Sequence, residues 1–442
     1  MRYLRIGDTI LGMKSFLKHI VVALLFMLSR AALRKYQPKI VAITGNVGKT
    51  GTKDAIREVL GTHVSVRANT ASFNSEIGVP LTILDLPNQW SSATGWISNI
   101  FRALWLIIKR HDYPDWLVLE IGAEFPGSIQ MIAEWLPVDI LVYTRFPDMP
   151  VHVGNFDSPT ELIKEKLSLL QSLKPSGTLI LNGDDPRVRE ITDFTDVRAV
   201  TYGAGGDTDV RVSRIQNAHF EDGVLRGIQF TMTVDDVSVP LEVRHVIATH
   251  HVMNMAAAVA VALEIDVSPE DAIAALADLT PTKGRMTVMD GIKKTTIIDD
   301  SYNSSPIAAM EALKVLGALK PAGRRLAVLG DMLELGALTD EAHDEVGEAA
   351  GRNADFLIVV GTACNSVIGG ALRGGLSEKN ILEFETSRLA GKNLERLLEP
   401  GDVVLIKGSQ GMRMEQVVLE IMAHPEQAQN LLVRQGDEWL KR

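Results

Sequence analysis

The sequence predicts an α/β protein: a central P-loop-type domain with a mainly parallel sheet, followed by a Rossmann-like C-terminal domain. A chain of 442 residues has room for two or three domains. From residue 39 onward, β-type apolar runs alternate with helical runs, which is the pattern of βαβ units. Apolar residues make up 46% of the chain and charged residues 23%. This ordinary globular usage excludes a wholly disordered chain and a polytopic membrane protein.

The first 37 residues form a separate basic and apolar segment. Residues 1–39 contain eight Lys or Arg and one acid, Asp8, so their net charge is +7. Of the 45 basic and 55 acidic residues in the chain, 37 and 54 remain, which gives the body a net charge of −17 and argues against nucleic-acid binding. The longest uncharged run, residues 20–29, is too short to cross a bilayer, which takes about 20 apolar residues.

Two interpretations of this segment stay open: a helix that packs on the folded body, or a helix that lies at an anionic membrane surface. We favour the second, because basic residues near an anionic leaflet strengthen binding. A secretory signal peptide is rejected, because a phosphate-binding loop follows and its chemistry needs cytosolic ATP. We therefore expect a cytoplasmic protein, peripheral at the inner face of the membrane. The single cysteine, Cys364, excludes a disulfide framework and suits a reducing compartment.

The body is predicted to divide into a central domain, residues 38–284, and a C-terminal domain, residues 285–442. Strands of the first are predicted at 39–44, 116–121, 139–144 and 178–182, with helices at 53–60 and 159–173. Residues 207–246 alternate more finely, which predicts antiparallel edge strands. Strands of the second are predicted at 295–299, 325–329, 356–360 and 403–406, with helices at 307–319 and 341–352.

A phosphate-binding loop is predicted at residues 44–52, Thr-Gly-Asn-Val-Gly-Lys-Thr-Gly-Thr, between a strand and a helix. Gly45, Asn46 and Gly48 bring backbone N–H groups towards phosphate oxygens at a helix N-terminus. Lys49 can reach the β- and γ-phosphates, and Thr50 can hold Mg²⁺. The spacing is two residues shorter than in the general P-loop, but the strand–loop–helix context predicts ATP binding.

With this loop and the motifs that follow it, the chain resembles the Mur ligases, ATP-dependent amide-forming enzymes of peptidoglycan assembly. The resemblance covers roughly residues 39–425 and is nearest to the branch that adds D-Ala-D-Ala to UDP-MurNAc-tripeptide. The matching elements are residues 73–82 (FNSEIGVPLT), 120–123 (EIGA), His152 with Lys166, 182–185 (NGDD), Asn254, 284–285 (GR), 299–303 (DDSYN), 330–336 (GDMLELG) with His343, and 407–409 (KGS). DDSYN, GDMLELG and KGS favour this branch over its sister ligases.

The resemblance implies phosphoryl transfer to a peptide carboxylate followed by acyl transfer to an amine. The expected acceptor is a muramoyl peptide, the expected amine D-Ala-D-Ala, and the expected cofactors are ATP and two Mg²⁺ ions. Glu120 ends an apolar strand, where open α/β sheets place their ligands, and its carboxylate suits Mg²⁺. The family's pattern implies that His152 helps to bind the second Mg²⁺ and that Lys166 is carbamylated, which turns a repelled ammonium into an anionic oxygen ligand.

Three further residues are expected to bind the nucleotide. Arg285 would reach a phosphate group if the C-terminal domain closes over ATP, and Asp300 ends a strand where a carboxylate can accept from ribose hydroxyls. Asn254 matches the family's adenine-contacting asparagine. Lys407, Asn303 and His343 are assigned to substrate or to domain packing.

The chain departs from the family in two segments and at four single positions, Gly51, Ser72, His251 and Ser305, where the family usually has another residue. Residues 1–37 are too few for a uridine-binding domain of typical size. Residues 90–111 belong to an insertion of roughly 20 residues, rich in tryptophan, whose apolar residues recur at helical spacing. Such a stripe usually packs in a core. The alternative is a membrane-interface helix, because tryptophan and basic flanks favour that location.

Two competing functions follow. The same chemistry could act on a lipid-linked muramoyl peptide or another carboxylate, or the chain could be a catalytically silent nucleotide-binding scaffold. Degenerate ligases are expected to lose metal ligands first. In this chain the predicted phosphate-binding and metal-binding residues are all present: Lys49, Thr50, Glu120, His152 and Lys166. This favours the enzyme.

Overall fold

The structure is a computed structural model. It describes residues 6–69, 73–89, 92–123, 125–146, 156, 158–219, 225–277, 279, 282–436 and 439. The chain forms two compact units. The first comprises Met1–Val212, Thr233–Val237 and Met253–Leu276, and the second Ser213–Met232, Ser238–Val252 and Ala277–Arg442. The domain boundary at residues 284–285 stays a prediction.

Regular structure alternates along the chain as an α/β protein requires. The α-helices are α1 (Ile6–Tyr36), α2 (Lys49–Gly61), α3 (Gly78–Leu84), α4 (Ala93–Ile108), α5 (Ser128–Ala133), α6 (Pro159–Leu167), α7 (Pro186–Arg189), α8 (Thr249–Leu263), α9 (Pro269–Ala274), α10 (Pro306–Ala318), α11 (Thr339–Asn353), α12 (Cys364–Arg373), α13 (Ser387–Leu397), α14 (Glu415–Ile421) and α15 (Ala428–Leu431). The strands are β1 (Lys39–Thr44), β2 (Val66–Ala68), β3 (Trp116–Glu120), β4 (Val138–Tyr143), β5 (Leu173–Asn182), β6 (Ala199–Gly203), β7 (Val210–His219), β8 (Leu225–Val234), β9 (Val237–Arg244), β10 (Thr287–Gly291), β11 (Thr295–Asp300), β12 (Arg325–Gly330), β13 (Phe356–Val360), β14 (Ile381–Phe384) and β15 (Val403–Lys407).

The sheet of the first unit has the strand order β2-β3-β1-β4-β5-β6, and its pairs are parallel. The first residues of β7 pair with β6, also in parallel. Strands β1, β3 and β4 are almost wholly buried, as expected for a sheet covered on both faces. Their carboxyl ends lie at one edge, which places Thr44 and Glu120 near each other.

Helix α1 belongs in part to the core of this unit. Leu25, Leu28, Ala32 and Leu33 are buried with strand residues of β1 and β3. Beyond them, the Tyr36 ring stacks on Tyr113 with ring centroids 4.4 Å apart. The second half of α1 therefore packs on the folded body. Within the described residues, no helix is both long enough and apolar enough to cross a bilayer.

The second unit has a six-stranded sheet in the order β10-β11-β15-β12-β13-β14. Strand β10 is antiparallel to β11, and the remaining pairs are parallel. Helices α10 to α12 cover one face and α13 and α14 the other, so that each face has its own apolar core. This is a doubly wound arrangement, which confirms the predicted α/β class with a Rossmann-like second sheet.

Candidate active site

The loop after β1 has the backbone geometry of a phosphate cradle. Gly45 and Gly48 have φ angles of 138° and 90°, which side-chain-bearing residues rarely adopt. A Cβ on Gly45 would lie 2.0 Å from Thr144 Oγ1, so this position also lacks space for one. Gly48 directly precedes α2, whose N-terminus has no side-chain cap among the described residues. The backbone N–H groups in the first turn of α2 are thus available for an anion.

Lys49 lies across this loop. Its Nζ is 2.9 Å from the Gly45 carbonyl oxygen and 3.3 Å from that of Asn46. The ammonium group therefore lies over the loop that is predicted to bind phosphate. The structure thus brings together Gly45, Asn46, Gly48 and Lys49, as the sequence predicts.

Thr50 and Glu120 meet although 70 residues separate them. The Thr50 hydroxyl donates to Glu120 Oε2 at 2.8 Å, and Asn74 Nδ2 donates to Glu120 Oε1 at 2.9 Å. Glu120 is buried at the end of β3. A hydroxyl and a carboxylate oxygen are hard ligands that suit Mg²⁺. Because the two residues already share one hydrogen bond, they fit a common cation.

Asn69, which no sequence pattern singles out, fixes the backbone of Glu120. Its Oδ1 accepts from the Glu120 N–H at 2.8 Å, and its Nδ2 donates to the Glu120 carbonyl at 3.2 Å. The buried Lys53 ammonium in turn donates to the Asn69 carbonyl at 2.8 Å. Asn69 directly follows β2, which pairs in parallel with β3, but three half-buried residues form no recognisable apolar run, so the sequence carries no signal for this contact.

Lys166 is a buried lysine near the C-terminus of α6. Burial lowers the pKa of its ammonium well below the usual value, and the nearby positive charge of Lys49 lowers it further, against the opposing effect of Glu165 and Glu120. A neutral amine is the form that reacts with CO₂ to give a carbamate. His152 lies outside the described residues, so its role stays a prediction.

Asn254, on α8, packs directly against the start of α2. Its Oδ1 accepts from the Thr52 hydroxyl at 3.1 Å. A Cβ on Gly51 would lie 2.2 Å from Asn254 Nδ2, and one on Gly48 would lie 2.8 Å from Oδ1. The close approach of Asn254 therefore explains why position 51 is a glycine. The predicted contact of Asn254 with adenine stays a prediction.

In the second unit, Asp300 and Lys407 form a buried ion pair. They are register partners at the carboxyl ends of β11 and β15. Lys407 Nζ donates to Asp300 Oδ2 at 2.6 Å and to the Asn303 carbonyl at 3.0 Å. Lys407 thus holds the predicted ribose-binding carboxylate and the loop that follows it.

Arg285 lies over an aromatic ring. Its guanidinium carbon is 4.2 Å from the centroid of the Tyr302 ring, and its Nε is buried without a hydrogen-bond partner among the described residues. His251 Nε2 lies 2.9 Å from the Arg285 carbonyl oxygen. Burial lowers the pKa of the His251 imidazole to about 3, so this side chain is neutral at physiological pH.

A second arginine, Arg434, supports Tyr302, and it was not among the predicted site residues. Arg434 donates to the carbonyls of Ser301 and Tyr302 at 2.6 and 3.1 Å. Its Nε donates to Glu415 Oε2 at 3.1 Å, and both side chains are buried. The pair fixes the loop after Asp300. Sequence spacing carries no signal for it, because Arg434 is 132 residues from Tyr302.

His343 serves the packing of a loop. Its Nε2 accepts from the Met332 N–H at 2.8 Å, so its Nδ1–H donates to the Thr339 carbonyl at 2.7 Å. This fixes the GDMLELG segment on α11.

Two family models match the chain: the Mur ligase middle domain over residues 99–262, and the Mur ligase glutamate ligase domain over residues 284–410. The chain is 32% identical over 389 residues to the UDP-N-acetylmuramoyl-tripeptide–D-alanyl-D-alanine ligase of Mycobacterium tuberculosis, covering 84% of this chain and 70% of that protein. The chain therefore belongs to the Mur ligase family, whose members of this branch are ATP-dependent peptide ligases.

The chain is also similar to a second ligase and to a solved structure. The UDP-N-acetylmuramoyl-tripeptide–D-alanyl-D-alanine ligase of Bacillus subtilis is 28% identical over 402 residues, covering 90% of this chain and 79% of that protein. A crystal structure of the MurF ligase of Thermotoga maritima in complex with ADP superposes with a TM-score of 0.71 at 25% identity, covering 90% of this chain and 83% of that one. The enzyme class predicted from the sequence is confirmed.

Proposed function

We propose that this chain joins D-Ala-D-Ala to the peptide carboxylate of a muramoyl peptide at the expense of ATP, in the cytoplasm, as part of peptidoglycan precursor synthesis. The observation that carries the proposal is the Thr50–Glu120 contact of 2.8 Å beside the loop that holds Lys49. That geometry supports a cation site beside a phosphate-binding loop. The names of the relatives supply the substrates.

The proposed reaction has two steps, phosphoryl transfer and then acyl transfer. An acceptor carboxylate oxygen attacks the γ-phosphorus of ATP, the bond from phosphorus to the bridging oxygen breaks, and ADP leaves. The amine of D-Ala-D-Ala then attacks the acyl carbon, inorganic phosphate leaves with the bonding pair, and the amine loses a proton. Charge in the first transition state lies on phosphoryl oxygens, so catalysis depends on nearby cations and N–H donors.

The residues of the first unit divide this work. Backbone N–H groups at Gly45 and Gly48 bind phosphate oxygens, and Lys49 neutralises their charge. The Asn46 N–H donates to the Arg145 carbonyl at 2.9 Å, so Asn46 shapes the loop. Thr50 and Glu120 would hold Mg²⁺, which when bound neutralises charge on the transferring phosphoryl group. Asn69 and Asn74 fix the Glu120 backbone and carboxylate.

Lys166 is proposed to be carbamylated. Its neutral amine adds to CO₂ and loses one proton, which gives a carbamate. The support is its burial and its lowered pKa, both of which favour the free amine as nucleophile. A carbamate oxygen, together with His152, would then hold the second Mg²⁺.

The nucleotide roles of three residues complete the proposal. Asn254 is proposed to contact adenine, Asp300 the ribose hydroxyls and Arg285 a phosphate group. For Asp300 the support is its place at the carboxyl end of β11, fixed by Lys407. For Arg285 it is the guanidinium on the Tyr302 ring, whose buried Nε has no hydrogen-bond partner in the part of the chain that the structure describes.

The test is ADP release by the purified chain with Mg²⁺ and ATP. D-Ala-D-Ala and UDP-MurNAc-tripeptide are supplied singly and together, with Lys49→Ala as the inactive control. Release that requires both substrates supports the proposal. Nucleotide binding without release under any condition would overturn it in favour of a catalytically silent scaffold.

A lipid-linked muramoyl peptide is a second candidate acceptor. An exposed apolar face on α4, in the same unit as Glu120, favours it, because an enzyme held at a membrane could meet such a substrate. Substituting the lipid-linked peptide for the UDP-linked one in the same assay separates the two. ADP release that occurs with the lipid-linked peptide but not with the UDP-linked peptide would select this candidate.

A further inference from the structure

Helix α4 presents large apolar side chains to solvent along one complete face. Ile97, Phe101, Leu104, Trp105 and Ile108 are all exposed, Phe101 by 68% and Ile108 by 76%. Their spacing of four, three, one and three residues places them on one side of the helix. Five large apolar residues so arranged form a patch of the kind that marks an interaction site. We call these five residues the α4 face.

The opposite side of α4 is anchored in the protein. Asn99 and Ala103 are buried, and Asn99 Nδ2 donates to the Pro87 carbonyl at 2.8 Å. At the far end, the Tyr36 hydroxyl donates to the Leu106 carbonyl at 2.8 Å and Lys35 Nζ to the same oxygen at 3.0 Å. The helix is therefore held by one side, and its outward orientation follows from the fold.

Positive charge surrounds the α4 face. Arg102, Lys109 and Arg110 are exposed, and the Lys109 ammonium lies 4.2 Å from the centroid of the Trp105 ring. No acidic residue occurs in the sequence between Asp85 and Asp112. Lys35, exposed at the end of α1, donates to the Leu106 carbonyl of α4 and adds one more cation beside this helix. Since the body of the chain is strongly acidic, this concentration of positive charge is a local exception.

From these observations we propose that the α4 face is a docking surface for an anionic lipid leaflet. Apolar side chains with tryptophan enter the boundary between headgroups and acyl chains, while basic residues at the rim pair with anionic headgroups. The acidic body is repelled by the same leaflet, so the protein binds in one orientation. This goes beyond the proposed activity, because it concerns binding to lipid with neither nucleotide nor substrate present.

The test is flotation of the full chain with vesicles, in the absence of ATP. The vesicles are pure phosphatidylcholine, or phosphatidylcholine with roughly one-third phosphatidylglycerol, each at low and high salt. The proposal predicts binding to the anionic vesicles that weakens at high salt, and a blue shift of tryptophan fluorescence. The double variant Phe101→Ser with Trp105→Ser is expected to reduce partitioning at least about tenfold.

A matched control separates the α4 face from apolar exposure in general. Phe194 is 72% exposed, close to the value for Phe101, and lies outside α4. Phe194→Ser is expected to bind vesicles as the wild type does. The variant with Arg102, Lys109 and Arg110 all changed to Gln is expected to lose the preference for anionic vesicles. Circular dichroism confirms that each variant is folded.

Three results would overturn the proposal. The first is no binding of the wild type to anionic vesicles. The second is equal binding by the wild type and the Phe101/Trp105 double variant, which would place lipid binding elsewhere, for instance in the first residues of the chain. The third is a wild-type dimer in gel filtration that the double variant abolishes, without vesicle binding, which would assign the α4 face to a second copy.

Discussion

The hydroxyl of Thr50 donates to Oε2 of Glu120 at 2.8 Å, and this contact joins the phosphate-binding loop to the end of a neighbouring strand. Thr50 follows β1 and Glu120 ends β3, two adjacent parallel strands whose carboxyl ends share an edge. Parallel topology therefore brings these ligands together from positions 70 residues apart. Thr50 lies in the first turn of α2 and Glu120 at the end of β3, so both ligands are held by regular elements with little freedom, as a metal site requires.

Replacing Glu120 tests the metal site. Glu120→Gln keeps the shape but removes the charge that attracts Mg²⁺ and one of the two acceptor oxygens, so we expect ligase activity to fall by about a hundredfold or more. Asn74→Ala leaves the carboxylate but removes one of its donors, and is expected to weaken the apparent Mg²⁺ affinity about 10- to 100-fold. The measurement is ADP release against Mg²⁺ concentration. Equal Mg²⁺ dependence in the wild type and both variants would contradict the assignment.

Two glycines of α2 form a matched pair for testing its close packing. Gly51→Ala places a Cβ 2.2 Å from Asn254 Nδ2, so we expect it to lower the free energy of unfolding by about 1–3 kcal/mol and to weaken ATP binding. In Gly61→Ala the Cβ meets nothing within 4 Å, so stability is expected to change by less than about 1 kcal/mol. Urea denaturation and ATP titration measure the two quantities. A Gly51→Ala variant that matches Gly61→Ala in both would show that Asn254 moves freely.

The lowered pKa of Lys166 predicts a pH dependence of stability with a definite sign. In the folded protein the amine holds its proton less tightly than in the unfolded chain, where its pKa is near the usual value of 10.5. Between these two pKa values the unfolded chain binds more protons, so the contribution of Lys166 to stability rises with pH, by at most about 1.4 kcal/mol per pH unit. Below both pKa values the full cost of burying the amine remains. The measurement is urea denaturation of the wild type and Lys166→Met in CO₂-free buffer, from pH 6 to 9 in steps of about one unit.

The expected result is that the wild type gains stability relative to Lys166→Met as the pH rises. A constant difference across the range would mean that the lysine is not deprotonated on folding. Adding bicarbonate at high pH is expected to stabilise the wild type alone, because only its amine can form a carbamate.

The ion pair between Arg434 and Glu415 is expected to support the loop after Asp300. Arg434→Met leaves Glu415 with one cation fewer and the carbonyls of Ser301 and Tyr302 without a donor. Breaking such a buried pair costs about 3–5 kcal/mol of unfolding free energy. The exposed pair Arg352–Glu348 is the control, and Arg352→Met is expected to cost less than about 1 kcal/mol. Similar losses in the two variants would show that the buried pair does not hold the loop.

How much the sequence predicts depends on the range of the interaction. Strands β1 and β13 begin and end where the apolar runs predict, because a strand buried on both faces is nearly continuous in apolar residues. Strand β2 was missed, since three half-buried residues give no such run. The helix predicted at 159–173 ends earlier, at Leu167, and continues as a 3₁₀ segment over Ser168–Ser172.

The site shows the same limit. The loop from Gly45 to Thr50 is contiguous, so its pattern predicts its geometry. Asn69 and Arg434 act through backbone groups of residues far along the chain, and nothing near them in the sequence indicates those partners. The glycine at position 51 is visible in the sequence, but its reason is not. A Cβ there would meet Asn254, a residue far along the chain that only the fold brings close.

The central claim is that one chain joins two substrates at the expense of ATP, and mass spectrometry of the product tests it most directly. Purified protein is incubated with Mg²⁺, ATP, D-Ala-D-Ala and UDP-MurNAc-tripeptide, or its lipid-linked form, beside Lys49→Ala. The account predicts a product that equals the acceptor plus D-Ala-D-Ala less one water, formed one for one with ADP and absent with Lys49→Ala. ADP formed without this product, or no product with either acceptor, would contradict it.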